Sequence, residues 1–158
     1  MKISDSVAYI GVNDYDADLF EGQYKVEHGM AYNSYVVKDD KIAVMDTVDK
    51  KFGGEWLGKL EGELDHSANV LAFAEKYPDA VIVASNQAFN MMKLYFGTDF
   101  AARRLVVKEG DTLALGRHEL VFVAAPMVHW PEVIVTYEKT EKLLFSADAF
   151  GKFGTTDA

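Results

Sequence analysis

A chain of 158 residues, 49% hydrophobic and 26% charged, has the size and balance of one ordinary globular domain with a buried core. Its formal net charge of −9, with no basic cluster to offset it, disfavours nucleic acid and anionic membrane as partners. The lack of cysteine excludes disulfides, thiolate metal sites and cysteine nucleophiles.

Met1-Lys2-Ile3-Ser4-Asp5 opens no apolar leader, and no apolar stretch approaches membrane-spanning length, so the expected compartment is the cytoplasm. "VAYIGV" (7–12) reads as a first strand. "AYNSYVVKDDKIAVMDTV" (31–48) reads as a hairpin turning at Lys38-Asp39-Asp40-Lys41. Trp56, Leu57 and Leu60 share one face of a weak helix, against which Gly53, Gly54 and Gly58 count. From Ser67 the period becomes helical, with Val70, Leu71, Phe73, Ala74 and Tyr77 as its stripe and Pro78 as its end. "AVIVAS" (80–85) is wholly apolar, the pattern of a strand covered on both faces. Ser85 then caps a helix that turns Ala88, Phe89, Met92, Tyr95 and Phe96 inward and stops at Gly97. From Leu105 to Asp148 the chain is strand-like, with turns at Glu109-Gly110-Asp111, Gly116-Arg117 and Lys139-Thr140. The order of elements indicates a mixed α/β or α+β domain built on a layered sheet.

Few residues carry chemistry. Glu63, Asp65 and His66 read as standing just before a helix, and His129 and Asp148 each follow an apolar strand. The end of a strand suits a site, because the strand holds the backbone while the loop opens to solvent. Three carboxylates and two imidazoles form an oxygen and nitrogen set suited to iron, manganese or zinc. The same residues have plainer readings. Asp65 or Ser67 can be a helix N-cap, with Glu61 and Glu63 favoured by the helix dipole. His129 can be a hydrogen-bonded loop histidine, and Asp148 a turn residue bonding its own backbone. His28 and His118 lie in polar turn contexts and take no role. No serine triad and no glycine-rich phosphate loop is present.

"VEHGMAYNSYVV", "KIAVMDTVD", "DHSAN", "FGTDFAARRLVVKEGDTLALGRHELVFVAAPMVHWPE" and "LLFSADAFGKFG" closely resemble, in order, the flavodiiron proteins, also called A-type flavoproteins. The resemblance implies a metallo-β-lactamase-like αββα fold holding two non-heme irons. It also implies reduction of dioxygen to water or of nitric oxide to nitrous oxide, with electrons from FMN on a flavodoxin-like domain and a head-to-tail homodimer. Residue by residue, it makes Glu63 and His129 ligands of one iron, Asp65 a ligand of the second with His66 beside it, and Asp148 the bridge between them. Asp46 matches a buried aspartate that orients the site. Glutamate at 63, where zinc hydrolases of the superfamily carry histidine, shifts preference toward iron.

The sequence departs from the family pattern in three places. Glu61 stands where the leading histidine of His-x-Glu-x-Asp-His belongs, making it a doubtful ligand. "EWLGKLEG" runs directly into "ELDHSAN", where relatives place more helix, a turn and a buried strand. The last histidine ligand and the flavodoxin domain have no counterpart. The expectation is therefore a single, incomplete metallo-β-lactamase-like domain over 1–158 that is inactive alone. Its FMN would come from another domain or chain, its electrons from a flavin or rubredoxin-type donor, and its missing cover from a homo-oligomer or a complementary chain. A zinc-dependent hydrolase of the same superfamily and a non-catalytic domain that folds or oligomerises are the alternatives.

Overall fold

The computed structural model describes residues 2–20, 24–63, 70–128, 130–147, 149–151 and 153–157. The chain forms two compact units, one comprising Met1–Val37, Val44–Phe73 and Gly151–Ala158, the other Lys38–Ala43 and Ala74–Phe150.

The first unit is built from short strands. β1 (Val7–Tyr9), β6 (Tyr35–Val37) and β7 (Ala43–Met45) form one sheet in the order β1-β6-β7. β2 (Val12–Asp14) pairs antiparallel with β5 (Met30–Tyr32), and β3 (Leu19–Phe20) with β4 (Tyr24–Lys25). The expected single strand over 7–12 is thus two, broken at Ile10-Gly11. The break has a steric cause: a Cβ on Gly11 would collide with the Tyr32 carbonyl oxygen and the Tyr9 ring. The expected hairpin over 31–48 keeps only its β6 and β7 arms, because Ala31 and Tyr32 pair with β2 instead.

α1 (Gly53–Glu63) forms despite its glycines. Trp56 and Leu60, one turn apart, are fully buried among Ile10, Val12, Val36 and Val48. Burial of an indole and an isobutyl group outweighs the propensity cost of glycine, roughly 1 kcal/mol per residue. The Trp56 indole N–H donates to Ser34 Oγ at 2.9 Å, so the one polar atom of that ring is satisfied inside the core.

α2 (Val70–Lys76) begins in the first unit and ends in the second, where β8 (Ile82–Ala84) pairs in parallel with β9 (Arg104–Val106). β8 is half-buried and the preceding Val81 is exposed, so this strand is not covered on both faces as its composition suggests. α3 (Asn86–Phe96) has the expected caps: Ser85 Oγ accepts from the Ala88 N–H at 3.0 Å, and Gly97 closes the helix at φ 74°. Phe89 is fully buried, but Tyr95 and Phe96, expected inward, are exposed. β10 (Thr112–Ala114), β11 (Glu119–Ala124), β12 (Ile134–Glu138) and β13 (Leu143–Phe145) make an antiparallel meander. Leu120, Phe122, Thr136, Glu138 and Phe145 are buried in it, following the alternation of side chains along a strand. The mixed α/β class expected from the order of elements is the one observed. Among the described residues no helix is long and apolar enough to cross a membrane.

Candidate metal centre

Of the expected metal ligands, Asp65, His66, His129 and Asp148 lie outside the described residues, as does Ser67. Glu61 and Glu63 belong to α1, and the stretch that joins them to α2 lies outside the described residues.

Described residues near His129 and Asp148 have left-handed backbone, as do Phe100 and Lys142 away from both. Ala125 to Val128 form a tight turn, closed by the Val128 N–H donating to the Ala125 carbonyl at 3.1 Å. Pro126 occupies its second position and Met127 its third, at φ 67°, where a turn of this kind normally places glycine. The Met127 N–H bonds the Trp130 carbonyl at 2.8 Å, and the Ala125 N–H bonds that of Val133 at 2.9 Å. Beyond β13 a second turn is closed by the Ala149 N–H on the Ser146 carbonyl at 3.0 Å, with Ala147 at φ 49°. Left-handed backbone at non-glycine residues costs of order 1–3 kcal/mol and gathers at functional sites. Here it falls two residues before His129 and directly before Asp148.

Asp46 has the same signature, at φ 59°. It was expected to be buried, and it is exposed. Its main chain is what is held, the carbonyl accepting from Ser34 Oγ at 3.0 Å, the hydroxyl that also receives the Trp56 indole N–H. Tyr35 lies near enough to feel its charge: burial, then the Asp46 carboxylate, raises that phenol's pKa. Tyr9, edge-on to Tyr35 with ring centroids 5.4 Å apart, is pushed up to about 12, chiefly by burial.

Two acids or bases passed over in the sequence have structural prominence. Glu132, in "HWPE", holds its Oε2 buried with no hydrogen-bond partner among the described residues. The signal was its spacing, three residues after His129. His118 is 1% exposed rather than in an open polar turn. Its Nδ1 lies 2.8 Å from Asp39 Oδ2 and its Nε2 3.3 Å from Glu141 Oε1, while its own N–H donates to Asp39 at 2.6 Å. The signal here was alternation: His118, Leu120 and Phe122 point to one face. Gly116 admits this arrangement, since at φ 149° a Cβ there would sit 2.5 Å from Asp39 Oδ1. Burial pulls the His118 pKa down, but the bonds to Asp39 and Glu141 and the charge of Glu138 outweigh it, so the net shift is upward. Asp39, receiving the His118 N–H and further donors, is held well below the usual carboxylate range.

Among the described residues no group of histidine, aspartate and glutamate is arranged to hold a metal ion, the His118 cluster included. The expected ligand set is Glu63, Asp65, His66, His129 and Asp148, of which only Glu63 lies among the described residues. The donor set fits iron in kind: hard carboxylates with two imidazoles, and no thiolate in the chain.

A family model described as "ODP family beta lactamase" matches residues 65–158. A nitric oxide reductase of Moorella thermoacetica is 34% identical over 169 residues, covering 96% of this chain and 42% of the relative. That stretch is longer than the chain itself, so the relative has residues with no counterpart here. Among solved structures, the rubredoxin oxygen:oxidoreductase of Desulfovibrio gigas superposes with a TM-score of 0.89 at 30% identity over 99% of this chain. The flavodiiron protein of Giardia intestinalis does so with 0.88 at 27% identity, also over 99%. The chain spans less than half the length of each, 42% in both structures.

Proposed function

Since the chain belongs to the ODP beta-lactamase family, with flavodiiron proteins as its relatives, we propose that it is the iron-binding portion of an oxidoreductase acting on dioxygen or nitric oxide. The observation that carries this reading is the order of donors. Asp65, His66, His129 and Asp148 all fall within the matched residues, and Glu63 lies two positions before the first of them.

In this reading Glu63 and His129 hold one iron, Asp65 and His66 the second, and Asp148 lies between the two. Glu61 takes the place of a histidine and brings one more negative charge. The irons, when bound, supply open coordination positions and redox capacity for a small diatomic substrate. The chain's own part is to hold them. Five carboxylates and imidazoles set their spacing and offset their charge, and the turns at Ala125–Val128 and Ser146–Ala149 fix the backbone beside His129 and Asp148. Asp46, held through its carbonyl, orients the site. No side chain acts as nucleophile.

Electrons come from a flavin or rubredoxin-type donor, with FMN held on another domain or chain. A second copy of this chain or a complementary chain brings that donor close and covers what an incomplete metallo-β-lactamase-like domain leaves open. The cytoplasm is the compartment. The test is to reconstitute the chain with iron under anaerobic conditions and mix it with a reduced flavoprotein and nitric oxide, following flavin reoxidation. The iron-loaded chain should accelerate reoxidation and His129→Ala should lose that acceleration. Equal rates with loaded and metal-free chain would reject the reading.

A further inference from the structure

His118 joins three connections at one end of the β10–β13 meander, all of them within the second unit. The turn at 38–43 supplies Asp39, whose Oδ2 lies 2.8 Å from His118 Nδ1 and receives the His118 main-chain N–H at 2.6 Å. The same turn is held further on by the Lys41 N–H, which donates to the Leu115 carbonyl at 2.7 Å. The β10–β11 turn carries Arg117 beside His118 itself. The β12–β13 turn supplies Glu138 and Glu141, the latter with its Oε1 3.3 Å from His118 Nε2. Thr140 of that turn donates through Oγ1 to the Arg117 carbonyl at 3.0 Å.

The charges around the ring are unbalanced. Asp39, Glu138 and Glu141 are the carboxylates that act on it, and Asp40 adds another over Gly116. Glu119 is turned to Lys139 at 2.8 Å. Arg117 is the cation at hand, its Nη2 3.2 Å from Nε2 and 3.4 Å from Glu141 Oε1. A neutral imidazole has one N–H and cannot donate to carboxylates on both sides, whereas an imidazolium can. When the ring is neutral, its Nδ1–H stays on Asp39 and Nε2 accepts from Arg117. Glu141 then loses its histidine donor, and one guanidinium is left to offset all the carboxylates.

We propose that His118 is a proton-operated latch: the imidazolium closes the 38–43 and β12–β13 turns onto the meander, and the neutral ring lets both open locally. The bonds to Asp39 and Glu141 hold the pKa of the closed state above 6.5, against the pull of burial. Closure is therefore complete below pH 6.5 and weakens as pH rises through the closed-state value. None of the expected metal ligands takes part.

The test is residue-resolved amide hydrogen exchange from about pH 6 to about pH 9 on the parent chain, E141Q and H118Q, corrected for the intrinsic pH dependence of exchange. The Lys41 N–H reports the first turn, and the Glu141 N–H, bonded to Glu138 Oε2 at 2.6 Å, reports the other. The Phe122 N–H, bonded to the Asp111 carbonyl at 3.0 Å, is the reference within the meander. In the parent, protection at Lys41 and Glu141 should fall several-fold relative to Phe122 across this range. E141Q should move the midpoint of that fall to lower pH, since a carboxylate that favours the imidazolium is gone, and H118Q should abolish the fall. Parallel changes at all three amides of the parent would overturn the latch without recourse to any variant. A midpoint unmoved by E141Q, or a fall that persists in H118Q, would overturn it as well.

Discussion

At the scale of single residues, His118 is the group whose behaviour is best defined. It is buried between Asp39 and Glu141, with Glu138 satisfied nearby by the N–H groups of Thr140 and Glu141 at 2.8 and 2.6 Å. Arg117 is the cation of the group, 3.4 Å from Glu141. The folded pKa of His118 lies above its ordinary 6.5, so its stabilising effect is complete below pH 6.5 and is lost as pH rises through the folded value. Asp39 works from the other side. Its folded pKa lies below the ordinary 3.8, so its contribution is present above pH 3.8 and is lost as pH falls through the folded value. Both act together between pH 3.8 and 6.5. Denaturant midpoints should therefore fall from about pH 6 to about pH 9 in the parent chain and follow a flatter course in His118→Gln. An identical slope in the variant would remove His118 from the account.

At the scale of elements, α1 is the clearest case of tertiary packing overriding local preference. Gly54 and Gly58 are exposed on it, and a Cβ at either would meet nothing within 4 Å. Gly58→Ala should therefore raise the unfolding free energy by about 0.5–1 kcal/mol, through lower unfolded-state entropy and better helix propensity. A fall in the chemical denaturation midpoint would mean that the helix end is shaped by contacts a methyl group disrupts. The contrast with α3 explains what sequence reading can reach. α3 is bounded by Ser85 and Gly97, whose side chain and φ act on neighbouring peptide groups, so both its ends were legible. Which residues it buries was less so: Phe89 faces inward while Tyr95 and Phe96 do not, because facing depends on what packs alongside rather than on the stripe alone. The same holds for β8, whose apolar run reads as a covered strand but which among the described residues belongs to a two-stranded sheet.

At the scale of the whole molecule, a chain of net charge −9 carries its candidate ligands in the order its relatives' family implies, over less than half of those relatives' length. The candidate ligands came from the family resemblance, because residue type and spacing alone left each of them open to a plainer reading as a cap, a loop histidine or a turn residue. Glu132 and His118 were not legible, because their importance lies in burial and in partners far along the chain, such as Asp39 for His118. Asp46 was recognised by its motif but placed at the wrong depth, since a motif gives a residue's register and not its exposure. The central claim is that Glu63, Asp65, His66, His129 and Asp148 still assemble an iron centre in this chain. Iron content per chain after anaerobic reconstitution, measured by elemental analysis beside an intact mass, tests it most directly. The account predicts about two irons per parent chain and a marked loss in Asp148→Ala, whose carboxylate would serve both metals. A folded parent chain of correct mass with no bound iron, or iron content unchanged by Asp148→Ala, would contradict it.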